Sequence, residues 1–134
     1  ILGIGGSALG PIALRTALRP HGWNQLDAGR RAGLPRLHVL DNVDPDTILA
    51  VLDALDLRTA LFVVISKSGG TAETMAQYLL VRERLDATHG ERAREHLVFV
   101  TDPEKGSLRP IARREGLAAL DIPANVGGRF SVLS

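Results

Sequence analysis

Leu61-Phe62-Val63-Val64-Ile65-Ser66-Lys67-Ser68-Gly69-Gly70-Thr71-Ala72-Glu73-Thr74-Met75 is the stretch that decides the fold. Its first five residues are apolar without alternation. A strand that is apolar on both faces is buried on both, which is the situation of a parallel sheet covered by helices. The run then breaks into two serines, a lysine, two glycines and a threonine, and a helical pattern begins. Ala72, Met75, Ala76 and Leu79, at three- and four-residue spacing, are the expected buried stripe of that helix.

Outward from this unit, strand-like and helix-like stretches alternate. Ile1–Ile4 predicts a first strand, Leu9–Leu18 a helix with Pro11 in its first turn, and His21–Pro35 a loop. Leu37–Leu40 predicts a second strand, followed by a helix to about Leu55 with Asp44 as N-cap and Pro45 at its first position. Beyond the central helix, which the polar stretch Asp86–Arg94 ends, come a strand at Leu97–Val100 and a helix at Ser107–Glu115 stopped by Gly116. A last strand spans Leu117–Ile122. This alternation predicts an α/β fold: a doubly wound, parallel, five-stranded sheet flanked by helices, a three-layer flavodoxin- or Rossmann-like sandwich. No internal repeat or second domain interrupts residues 1–134.

Composition narrows the function classes. The 134 residues are 45% hydrophobic but only 4% aromatic, so the core is expected from Leu, Val, Ile and Ala. A net charge of +1 argues against a nucleic-acid partner, which needs a basic stripe. The absence of cysteine excludes a disulfide scaffold, a thiolate metal site and a Cys nucleophile, and is compatible with the cytoplasm. No apolar run approaches the ~18 residues of a membrane span. The first residues already read as strand and the last, Phe130–Ser134, end without a turn or polar tail. Both ends are therefore expected to be truncated relative to a longer protein.

Ligands of such sheets bind at the carboxyl ends of the strands. Three segments break there into small polar residues: Gly3-Ile4-Gly5-Gly6-Ser7, Ser66–Thr71 and Asn125-Val126-Gly127-Gly128-Arg129. The second suits a phosphate dianion. Its glycines let backbone N–H groups approach an anion, the following helix N-terminus adds donors, and Ser66, Ser68 and Thr71 supply hydroxyls. Lys67 supplies charge, and it is one of two lysines in a chain whose other bases are arginines. A capped turn, with Thr71 as N-cap, is the plainer alternative, and no Walker spacing is present. The first segment partly matches a dinucleotide fingerprint, but Asp41 lies far beyond the ~20-residue spacing of the ribose-binding acid. It suits a sugar's hydroxyls or simply a tight turn. Arg129 suits a developing oxyanion or a plain surface position. His21, His38, His89 and His96 lack metal-ligand spacing, and Asp44 among the Asp41, Asp44, Asp46 group is already a cap. Asp102–Ser107 reads as a turn and helix start at the same edge.

Taken together, Gly3–Pro11, Ser66–Met75 (SKSGGTAETM) and Gly127-Gly128-Arg129-Phe130-Ser131 resemble the bacterial type of the glucose-6-phosphate isomerase family, over the whole chain. The phosphate loop alone resembles the wider sugar-isomerase (SIS) domain family. The resemblance implies a single SIS domain at residues 1–134 of an enzyme interconverting glucose 6-phosphate and fructose 6-phosphate, cytoplasmic, homodimeric at full length, with no metal or organic cofactor. It implies that Ser66, Lys67, Ser68 and Thr71 hold the phosphate, that Gly6 and Ser7 face the sugar, and that Arg129 stabilises a cis-enediolate. The family's catalytic Glu and ring-opening His lie beyond the Gly-Gly-Arg segment, outside these 134 residues. A non-catalytic phosphosugar-binding module of a regulator is the second expectation, and a dinucleotide-dependent oxidoreductase the third.

Overall fold

The computed structural model describes residues 1–128. Helix α1 spans Gly6–Leu18, α2 Pro45–Ala54, α3 Ala72–His89 and α4 Leu108–Glu115; strands β1, β2 and β3 span Phe62–Ser66, Leu97–Thr101 and Ala118–Asp121. Short 3₁₀ turns occupy Trp23–Gln25 and Gly90–His96. The strands pair in parallel in the order β1-β2-β3, with Phe62 opposite Leu97 and Val98 opposite Ala118.

The parallel α/β class is as expected, but among the described residues three strands form rather than five. The first two expected strands are reduced to single bridges: Leu2 pairs in parallel with both Leu40 and Val64. Leu2 N–H donates to Val63 O at 2.8 Å and Gly3 N–H to Leu40 O at 3.2 Å, while the amides of Leu40 and Ile65 donate back to Ile1 and Leu2. The pairing stops because α1 starts at Gly6, three residues before the expected Leu9, leaving too little extended chain for a ladder. Gly5, at φ 57°, makes that early entry possible.

Alternate side chains of the strands define two faces. Phe62, Val64, Leu97 and Phe99 face the main core, where Ile48 and Leu52 of α2, Tyr78, Val81 and Leu85 of α3, and Leu108 and Ala112 of α4 pack. Tyr78 meets Phe99 edge to face at 5.1 Å between ring centroids. The right-handed crossover rule puts α1, which runs back from Leu2 to Leu40, on the opposite face. That face is unevenly covered among the described residues: Ile65 is buried, Val63, Val98 and Val100 are half-buried, and Leu120 is 61% exposed.

The buried stripe of α3 also differs from the expected one. Thr74, Gln77, Tyr78, Val81 and Leu85 are buried, whereas Ala72 and Ala76 are exposed and Leu79 is 59% exposed. The cause is Gln77, whose Nε2 donates to Leu40 O at 3.1 Å and Asn42 O at 2.7 Å. It satisfies carbonyls where the bridge at Leu40 gives out, so a polar residue holds the inner face. Two helix ends match expectation: Asp44 accepts from Thr47 N–H at 2.9 Å, and Gly116 closes α4 in the left-handed conformation at φ 66°.

Candidate functional site

A cleft of about 470 Å³ opens at the carboxyl end of the strands, lined by Ile4, Gly6, Ser7, Lys67, Ser68, Thr71, Gly127 and Gly128. All three glycine-containing segments singled out from sequence therefore meet in one place. Gly6 and Ser7 belong to the first turn of α1, not to a loop before it. Lys67, Ser68 and Thr71 lie on the turn from β1 into α3, so two helix N-termini converge on the cleft. Aligned peptide dipoles and free first-turn amides make such a place favourable for an anion.

The turn itself is closely specified. Gly69 takes φ 66°, and its N–H donates to Ser66 O at 3.1 Å. A Cβ there would lie 2.8 Å from Thr101 Oγ1 and 2.9 Å from Lys105 O, so only glycine fits. Ser66 is buried and does not line the cleft; its hydroxyl pairs with Thr71 Oγ1 at 3.0 Å beneath the loop. Thr71 Oγ1 also lies 3.4 Å from Ser68 Oγ. Thr71 is the N-cap of α3 by position but makes no side-chain capping bond, so its hydroxyl belongs to the cleft's own network.

The β2–α4 turn supports the loop from behind, a role not legible in Asp102–Ser107 as sequence. Asp102 N–H donates to Lys67 O at 3.2 Å, and Ser107 and Leu108 N–H donate to Gly69 O at 2.7 and 3.0 Å. The Asp102 carboxylate accepts from the amides of Glu104 and Lys105, both at 2.9 Å. Those bonds, with the charges of Lys105 and Lys67 adding, hold its carboxyl below the usual range. Arg109, on α4, joins the strand ends: its guanidinium donates to the carbonyls of Asp102 and Thr101 and pairs with Asp121.

Among the described lining residues, Lys67 is the one ionisable group, so what they offer is a grip for an anion and not a proton-transfer pair. Gly127 and Gly128 reach the cleft through a turn in which Val126 N–H donates to Pro123 O. Arg129, the expected oxyanion partner, lies outside the described residues. None of the described His, Asp and Glu residues form a group of three or more that could hold a metal ion.

The phosphoglucose isomerase family model matches residues 1–134. The chain is 51% identical over 134 residues to a glucose-6-phosphate isomerase of Carboxydothermus hydrogenoformans and 48% identical to one of Thermus thermophilus. It covers 29% of each of those proteins, with all of its own length aligned, so it spans less than a third of the curated relatives it matches. Among solved structures, a hypothetical protein from Thermus thermophilus superposes with a TM-score of 0.84 at 49% identity, covering 98% of this chain and 29% of that one. A glucose-6-phosphate isomerase from Chlamydia trachomatis superposes with a TM-score of 0.76 at 32% identity, covering 98% of this chain and 23% of that one. With its three glycine turns gathered at one cleft and a family model matched from end to end, the chain belongs to the phosphoglucose isomerase family.

Proposed function

We propose that this chain is the sugar-phosphate-binding domain, of the SIS type and spanning residues 1–134, of a longer glucose-6-phosphate isomerase that interconverts glucose 6-phosphate and fructose 6-phosphate. The observation that carries the proposal is the convergence of Gly6, Ser7, Lys67, Ser68, Thr71, Gly127 and Gly128 on one cleft between two helix N-termini. Lys67, Ser68 and Thr71 hold the phosphate directly, and Ser66 holds Thr71 in place through its hydroxyl. Gly6 and Ser7, at the start of α1, face the sugar.

Isomerisation needs a base to take the proton from C2 of the open-chain aldose. The electron pair left behind becomes the enediolate, and the proton returns to C1. Arg129, next in sequence to the cleft-lining Gly128, stabilises the enediolate oxygen. The family resemblance puts the base, a Glu, beyond the Gly-Gly-Arg segment; the described lining residues include no carboxylate or imidazole. The proposal extends to a cytoplasmic homodimer for the whole enzyme, on the family resemblance alone.

The lack of a base also favours a second reading, a non-catalytic phosphosugar module of a regulator. The full-length gene product, assayed with fructose 6-phosphate, separates the two. Isomerisation that Arg129→Ala abolishes is the expected result. Tight phosphosugar binding without turnover would transfer the case to the regulator, and an active Arg129→Ala variant would remove the arginine from the mechanism.

A further inference from the structure

The phosphate loop and the β2–α4 turn touch backbone to backbone at two glycines. A Cβ on Gly106 would fall 2.1 Å from Ser68 O, 2.5 Å from Gly69 C and 2.6 Å from Gly69 Cα. A Cβ on Gly69 would in turn lie 3.2 Å from Gly106 Cα. Both residues take positive φ, 66° and 77°. Around this contact, the N–H groups of Asp102, Ser107 and Leu108 take up the carbonyls of Lys67 and Gly69. Those two carbonyls flank Ser68. A carbonyl oxygen facing a phosphate repels it, so bonding both of them to the turn keeps them from the anion.

We propose that Gly106 is a positioning residue for the phosphate loop: having no side chain, it lets residues 102–107 lie against the Ser68–Gly69 peptide and fix Lys67, Ser68 and Thr71 at the cleft. This rests on the loop's reading as a phosphate site. The atoms that a Cβ would strike are all backbone, so no side-chain rotation relieves the overlap. The Ser68 carbonyl alone has to retreat by about 0.9 Å to reach a 3.0 Å separation. Losing one charge-assisted hydrogen bond to an anion lowers affinity roughly 10- to 150-fold.

Gly116 supplies the control. It also takes positive φ, 66°, at the other end of α4, but a Cβ there meets nothing within 4 Å. Gly116→Ala therefore carries backbone strain without touching the loop. Asp102→Ala is the milder probe: it takes away the acceptor of the Glu104 and Lys105 amides, both at 2.9 Å, so the turn loosens while no new atom enters the loop.

The experiment measures, on the full-length enzyme, KM and kcat for fructose 6-phosphate, inhibition by inorganic phosphate alone, and amide hydrogen exchange at residues 67–71. Gly106→Ala is expected to raise KM and the phosphate inhibition constant together, by roughly 10- to 100-fold, by more than it lowers kcat. Asp102→Ala is expected to shift both in the same direction by less, and Gly116→Ala to lower the melting temperature while leaving both constants at wild-type values. Wild-type phosphate inhibition in Gly106→Ala, or equal weakening by Gly116→Ala, overturns the proposal. If Gly106→Ala fails to fold, Asp102→Ala decides it. If the wild-type protein binds neither phosphate nor fructose 6-phosphate, the phosphate reading fails instead. Faster loop exchange in Gly106→Ala than in Gly116→Ala then still upholds the positioning contact, and equal exchange overturns it.

Discussion

Replacing Lys67 by methionine removes one charge from the cleft while keeping most of the side chain's stem. Lys67 is half-buried, lines the cleft and makes no ion pair among the described residues, so its charge is available to a ligand. Two unit charges 4 Å apart attract by about 1 kcal/mol in bulk water and about 4 kcal/mol at an effective dielectric of 20. An open cleft with a half-buried lysine lies between these limits, and the lysine's own desolvation offsets part of the gain. A net loss of about 1.5–3 kcal/mol follows, the usual worth of a charge-assisted hydrogen bond. That corresponds to roughly 10- to 150-fold in affinity. On the proposed reading the phosphate lies far from the reacting carbons and is held equally in ground and transition states, so the loss belongs in KM, with kcat little changed. The assay is initial-rate kinetics of the full-length enzyme on fructose 6-phosphate at low and at high salt. In the wild type KM rises with salt; in Lys67→Met it starts high and varies less. An unchanged KM, or an equal salt response in both proteins, would refute the placement of Lys67 on the phosphate.

The loop's inner hydroxyl pair gives a second expectation. Thr71→Val leaves the buried Ser66 Oγ without its partner and costs about 1–3 kcal/mol of stability in urea unfolding; adding Ser66→Ala recovers most of it, because removing both partners leaves nothing unsatisfied. If the loss is instead a capping loss, the double variant stays as unstable as the single one. Arg109→Met deprives Asp102 O of its guanidinium donor and is expected to destabilise by about 2 kcal/mol, since the freed Asp121 is already solvent-exposed; unchanged stability would show that burying the guanidinium costs as much as its bonds return. His38 has its pKa lowered, first by burial and then by neighbouring positive charges, Arg36 and Arg15 among them. The unfolded chain then takes up the proton first, so stability declines as pH falls below about 6.5 and levels off below the folded-state pKa. His38→Gln is expected to flatten that slope in pH-dependent thermal melts, and an unaltered slope would assign it to other groups.

How much of this was legible in the sequence depended on whether the deciding signal was local. Asp44-Pro45 and Gly116 mark helix ends through their own backbone chemistry, and both ends fall where expected. Leu61–Ile65 needs no partner to read as a buried strand, and β1 forms one residue along. The inner face of α3 was misread because apolar spacing cannot register Gln77, a polar residue buried for the two carbonyls it satisfies. The start of α1 was misread because glycine is a poor helix former, although the bend at Gly5 lets the helix start at Gly6. At the site, the cleft-lining residues carried chemistry that could be named in advance. Gly106 carried none: its importance is the space it leaves for Ser68, which exists only once two distant turns have met.

The bridge at Leu2 has a consequence for how the chain is made. Leu2 lies between Leu40 and Val64 in the sheet yet precedes both in sequence. On a chain synthesised from its N-terminus, Leu2 emerges before both partners: Leu40 follows 38 residues later and Val64 62 residues later. Loop closures of this length slow folding, because their entropy is spent before the contacts form. Until then Leu2 and Ile4 have no sheet to join. Gly3, Gly5 and Gly6 break the apolar run around Leu2 and Ile4 and so discourage it from pairing with a neighbouring chain.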